Sequence, residues 1–197
     1  MVDHLTYFFR IGRPPFQSLS ALPEDQALRL MQDLYVEGSP IWERFKDPRD
    51  YLHARRQTEA WLRAEFIARG GQPRQPYPIY MVFGRTRWLD LNADPVTLAT
   101  TAEMDIPISL FTAQDISFTY PDSMISRLLA ERKDPDYYLP DYHGKLFTLP
   151  EMVSIVASKG LPGITWGNNL PPTLANYIEA QVWNQQILFD FIHLPHD

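Results

Sequence analysis

Ile116-Ser117-Phe118-Thr119-Tyr120-Pro121-Asp122-Ser123-Met124-Ile125-Ser126-Arg127 changes periodicity in its middle. Up to Tyr120 the residues alternate, so in a strand Ser117 and Thr119 share one face while Phe118 and Tyr120 share the other. After Pro121 the pattern becomes helical: Ile125, Leu128 and Leu129 fall on one side of a short helix predicted from Ser123 to Arg132. A strand that hands over directly to a helix predicts a sheet with helices laid against it. The junction at Pro121-Asp122-Ser123 also has chemical potential, because exposed amides at a helix start can hold an anion or a polar ligand group. A simpler reading has Asp122 or Ser123 capping the helix, with the hydroxyls facing water.

Further strands and helices extend this pattern in both directions. His4 to Ile11 reads as an aromatic-rich strand stopped by Gly12-Arg13-Pro14-Pro15. Ala27, Leu30, Met31 and Leu34 follow one helix face between Pro23 and Tyr35, with Glu24 and Asp25 suited to its first turn. A second helix is predicted from Arg49 to Arg69, closed by Gly70-Gly71 as a left-handed cap. Strands follow at Ile79 to Phe83, Trp88 to Leu91, Val96 to Thr100, Ile106 to Phe111 and Ile116 to Tyr120. The last two are expected to form a hairpin through Thr112 to Asp115. Asp134 to Gly144 reads as an acidic, tyrosine-rich loop. Thr148-Leu149-Pro150-Glu151 is a capping box opening a helix to Lys159. After a break at Gly160-Leu161-Pro162-Gly163, a long last helix is expected from Thr173 to Ile192, striped by Leu174, Ile178, Val182, Phe189 and Ile192. The expectation is an α+β fold: a mostly antiparallel sheet with helices packed on one face, in a single domain spanning 1–197.

Composition narrows the function classes. Among 197 residues, 45% are hydrophobic and 21% charged, which is ordinary globular usage with enough apolar material for one core. Cysteine is absent, which removes thiolate nucleophiles and sulfur-based zinc sites. The net charge of -6 disfavours broad contact with nucleic-acid phosphates. No apolar run reaches bilayer length and no signal segment is evident, so a cytoplasmic protein without membrane contact is expected. No cofactor is expected. Phosphate-loop, serine-elbow and zinc-helix motifs are missing too.

Several constellations remain. His143, beside Asp134, Asp136 and Asp141, is the histidine best placed for acid–base work, with Asp122 as its partner if the chain is an enzyme. Arg10 and Arg13 offer forks for phosphate or carboxylate, as does Arg127. Arg55, Glu59 and Arg63 lie four apart and read as a solvated ladder of paired charges. The acidic loop lacks the glycine bend and closing glutamate of a calcium loop. His193, His196 and Asp197 form a weak metal set at the chain end, and no metal site is expected. Tyr137, Tyr138 and Tyr142 are expected to be exposed, and with Trp166 they suit recognition. Tyr80 and Trp88 suit core packing. Two functions stay open. One is a binding or interaction protein taking a small polar ligand or a protein partner on Ser117, Thr119, Ser123, Tyr138, Tyr142 and Trp166. The other is a small transferase or hydrolase acting on a phosphorylated or nucleotide-like substrate clamped by Arg10, Arg13 or Arg127.

Overall fold

A computed structural model describes residues 2–162, 166 and 170–193. Six strands, β1 (His4–Arg10), β2 (Ile79–Phe83), β3 (Thr101–Pro107), β4 (Ile116–Thr119), β5 (Phe147–Thr148) and β6 (Glu179–Val182), form one sheet in the order β3-β1-β2-β6-β4-β5. Each neighbouring pair is antiparallel. With its helices this makes the α+β single domain that the periodicities predict. The helices are α1 (Glu24–Leu34), α2 (Pro48–Ala68), α3 (Trp88–Asn92), α4 (Pro95–Thr100), α5 (Ser123–Arg132), α6 (Leu149–Lys159) and α7 (Gln185–Ile192). None of the helices is long and apolar enough to cross a membrane.

Helices lie against both faces of the sheet rather than the one face expected, because both faces carry side chains that need cover. On one face Ile79, Met81, Ile116, Phe118, Ala180 and Val182 join Met152 and Val156 of α6 and Leu188 of α7 in the main core. On the other, Trp183 and Tyr80 meet Leu62 and Phe66 of α2, with the Phe66 and Trp183 rings stacked at 5.7 Å. α5 packs beside α2. α1 packs on α2 through a separate cluster of Ala27, Met31, Phe45 and Leu52.

Local signals placed α1, α2, α5 and α6 within a residue or so of their predicted bounds. Asp122 Oδ1 accepts the amides of Met124 and Ile125, so it is the cap of α5. Glu151 Oε2 accepts the Thr148 amide at 2.8 Å, completing the capping box of α6. Gly70, at φ +87°, ends α2 in the left-handed region. A Cβ at Gly71 would run into the Phe66 ring, so that glycine is required by close approach.

Four expected elements are corrected as well. Trp88 to Leu91 and Val96 to Thr100 are the helices α3 and α4, not strands. Capping overrides β propensity there: Asp94 Oδ1 accepts the amides of Val96 and Thr97, each at 2.9 Å, and Pro95 takes the first helical position. The expected hairpin of Ile106 to Phe111 with Ile116 to Tyr120 does not form, since β3 pairs only with β1 while β4 sits between β6 and β5. Asp115 instead accepts from Trp183, its carbonyl taking the indole residue's amide at 2.8 Å. Finally, the first half of the expected last helix contains β6, a central strand. Ile178 and Val182 are four apart, a spacing that puts two residues on one side of either a helix or a strand.

Candidate functional site

Register on the polar face of the sheet explains the site. Ser117 pairs with Gln181 and Thr119 with Glu179, so the even alternation places all four on one side. They are buried rather than solvent-facing: Ser117, Thr119 and Gln181 have no exposure and Glu179 has 5%. The expected water-facing hydroxyls are therefore consumed internally. Ser117 Oγ donates to Gln181 Oε1 at 2.9 Å and accepts the Trp183 indole N–H at 2.9 Å. Gln181 Nε2 donates to Thr119 Oγ1 and to Glu179 Oε1, each at 3.0 Å. The Ser123 amide at the start of α5 donates to the same Glu179 oxygen at 3.2 Å. Glu179 Oε2 takes no hydrogen bond from the described residues.

Glu179 lies at the inner end of a cleft. A cavity of about 240 Å³ is lined by Phe8, Tyr51, Arg55, Tyr80, Tyr177, Asp122, Ser123 and Glu179. Through Phe8, Arg44, Val82 and Tyr177 it adjoins a lobe of about 760 Å³, whose walls include Phe9, Arg10, Trp42, Trp88 and Val96. Phe8, Arg44, Tyr51, Arg55 and Tyr80 also border a third recess of about 280 Å³ near Leu19 and Leu30. Phe8 and Arg44 are common to all three.

The charges around the inner end are distinct in character. Arg55 Nε lies 3.1 Å from Glu59 Oε1, and its guanidinium sits 4.5 Å over the Tyr80 ring. With Glu59 fully buried and the Arg55 side chain only 17% exposed, these two are a buried pair, which corrects their reading as part of a solvated ladder. The Tyr80 hydroxyl donates to Glu59 Oε1 at 3.2 Å. Arg44 differs: among the described residues no carboxylate is within ion-pair distance, and its guanidinium rests 5.2 Å from the Phe45 ring. Burial, reinforced by the negative charge of Asp122, raises the Glu179 carboxyl to about 8. Burial likewise pushes the Tyr177 hydroxyl well above its ordinary range.

The residues singled out from sequence are divided by the sheet. Asp122 and Ser123 line the inner cavity and Arg10 lines the wide lobe. Arg13 is exposed in the turn after β1. Arg127 is engaged in packing, with Nη1 donating to Thr58 Oγ1 at 3.2 Å and Nη2 3.5 Å from Glu131. Tyr142 and Trp166 are on the opposite, apolar side: their rings lie 4.8 Å apart, and Trp166 is 4.7 Å from Tyr120. At 7% and 3% exposure they are core residues, so the expected exposure of Tyr142 is corrected. Tyr137 and Tyr138 are half-buried.

His143 belongs to that side as well. It is 2% exposed, its Nδ1 accepts the Leu139 amide at 3.0 Å, and its Nε2 has no partner. Burial lowers its pKa to about 4, and no hydrogen bond joins it to Asp122. Among the described residues no group of three or more His, Asp or Glu side chains is placed to hold a metal ion; His196 and Asp197 lie outside them.

Glu179 and Arg44 carry the site and were missed by sequence reading. Glu179 fell inside an expected helix, where a carboxylate at that position would face solvent. Arg44 had no motif around it. A strand reading of Ile178-Glu179-Ala180-Gln181-Val182 would have exposed the signal, a carboxyl and an amide on one face of an otherwise apolar strand. Comparison with known proteins finds no matching family model, no similar curated protein and no similar solved structure.

Proposed function

We propose that this chain binds a small ligand in the cleft over the polar face, with a flat or apolar part in the wide lobe and a polar end towards Glu179. The observation that carries this reading is the adjacency of three cavities that share Phe8 and Arg44 in their walls, one an aromatic lobe and one lined by a buried carboxyl. A lobe of about 760 Å³ falls within the range of small-molecule sites, which pair apolar walls with a few convergent polar groups. Trp42, Trp88 and Tyr177 supply the walls. The Trp88 ring lines this lobe, while its indole N–H is buried without a hydrogen-bond partner. Arg44, free of a carboxylate, supplies attraction for a phosphate or carboxylate. Concavity favours a small molecule over a protein partner.

A second reading, a small transferase or hydrolase acting on a phosphorylated or nucleotide-like substrate, is supported by Glu179 and Asp122 lining the same inner cavity. Binding is tested by amide NMR titration with adenosine, adenosine monophosphate and inorganic phosphate. Shift changes should centre on Phe8, Trp42, Trp88 and Tyr177, with Arg44→Ala weakening the monophosphate about tenfold more than adenosine. Saturable binding that maps elsewhere, or no binding of the three, refutes the cleft as the site for this ligand class.

A further inference from the structure

Glu179 is held as a group that acts on something entering the cavity. An unsatisfied buried oxygen is costly, yet Glu59 Oε2 on α2 also lacks a partner; what sets Glu179 apart is that its unengaged oxygen belongs to a side chain lining a cavity shared with Asp122. Here one oxygen does all the anchoring: Oε1 accepts the Ser123 amide and the Gln181 side-chain N–H, while Oε2 receives nothing. The anchors are themselves fixed, Gln181 by Ser117 and Thr119 and the Ser123 amide by the start of α5. The side chain lines the cavity with Oε2 as its unengaged atom. Rigid mounting of one oxygen and freedom of the other is the arrangement that proton transfer to a ligand requires.

Asp122 supplies the complement. It precedes the residue whose amide holds Glu179, lines the same cavity, and has Oδ1 fixed by the amides of Met124 and Ile125. Two carboxyl groups lining one cavity can divide into an acid and a base when their surroundings differ, and here Glu179 is buried while Asp122 is only partly so. Burial and the charge of Asp122 favour the protonated form of Glu179.

Resting on the binding reading above, we propose that the inner end of the cleft is an acid–base catalytic site: Glu179 gives a proton to the leaving oxygen or nitrogen of a nucleotide-like ligand, and Asp122 accepts one from the attacking water. The water oxygen bonds to the electrophilic carbon or phosphorus as its proton passes to Asp122. The bond to the leaving atom breaks, its electron pair stays with that atom, and the Glu179 proton neutralises it. Glu179 ends ionised and Asp122 protonated, and exchange with solvent restores both. The net reaction adds one water across one bond. Arg44, at the meeting point of the cavities, holds the anionic part of the ligand, and the rings of the wide lobe hold its flat part.

The test incubates the full chain with nucleoside mono-, di- and triphosphates and pyrophosphate-linked dinucleotides, reading bond cleavage by ¹H and ³¹P NMR and binding by amide shifts in the same samples. At least one probe should be cleaved. Its rate should fall about tenfold per pH unit above about pH 8, as the acid form of Glu179 is lost. Glu179→Gln, which keeps the anchored oxygen, should cost about 100-fold or more in rate while leaving the binding shifts in place. Asp122→Asn should lower the rate with the cap of α5 intact. Binding of probes with no cleavage of any overturns catalysis and leaves the binding reading standing. Absence of binding by every probe overturns both. A wild-type rate in Glu179→Gln also overturns the proposal; should that variant not fold, a wild-type rate flat from about pH 6 to about pH 9.5 does so instead.

Discussion

The two faces of strands β4 and β6 obey opposite rules although they are made from the same few residues. Ile116, Phe118, Ala180 and Val182 give one face of these two strands purely apolar side chains that pack into the main core. Ser117, Thr119, Glu179, Gln181 and Trp183 give the other a buried network in which nearly every polar atom is committed. The apolar face is held by contact area and packing, the polar face by satisfied geometry. Within the strand network Glu179 Oε2 is uncommitted, and the side chain lines a cavity. A buried carboxyl costs stability, and its position against open space is the feature on which the proposed site rests.

The largest effect is expected on the apolar face. Phe118→Ala empties a fully buried site beside Phe83 and should cost about 3 to 5 kcal/mol in denaturant unfolding. A loss below about 1 kcal/mol would mean that this face is not the main source of stability.

Next comes the pH dependence of stability, in which Glu179 and His143 should act in opposite directions. The folded state raises Glu179 from 4.5 to about 8, so its contribution is full below about pH 4.5 and is lost as pH rises to about 8. Over that window the folded state loses a few kcal/mol, and Glu179→Gln should abolish the decline. His143 is lowered from 6.5 to about 4, so its contribution is full above about pH 6.5 and is lost as pH falls towards 4. His143→Gln should remove that acid limb, roughly 3 kcal/mol. Chemical denaturation from pH 4 to pH 9 reads both limbs. Coincident wild-type and Glu179→Gln curves would show that Glu179 ionises without cost in the folded chain.

A smaller change sharpens the link between network and cleft. Asp122→Asn keeps an acceptor for the amides of Met124 and Ile125 but removes a negative charge near Glu179. Helix stability should change by less than about 0.5 kcal/mol, while the alkaline limb moves to lower pH. Carboxyl carbon shifts of Glu179 followed through the titration measure the displacement directly.

Elements set by neighbours in the chain were legible in the sequence. Asp122, Thr148 and Glu151, and Gly70 write the ends of α5, α6 and α2 into a few adjacent residues, because a cap bonds amides two or three positions away. Ser117 and Thr119 were rightly assigned to one polar face, since alternation is a property of the strand itself. Their burial was not legible. Whether a polar face meets water depends on α2 lying over it, and α2 is contributed by residues about sixty positions earlier. The same limit hid the candidate site. Tyr142, Trp166 and His143 resembled partners of Ser117 and Asp122 in composition, yet they pack on the other side of the sheet beside Tyr120.

By itself the sequence determined the class of fold, the caps and most helix bounds, and the absence of thiol chemistry, because these follow from residue type and short-range spacing. Only the tertiary structure decided that residues 179–182 form a central strand, that Ser117 and Thr119 are spent on Gln181, and that Phe8, Arg44, Asp122 and Glu179 line one cavity. The reason is physical: strand pairing and cavity walls are made by segments distant in the chain, and the free energy that selects among their pairings is shared between them.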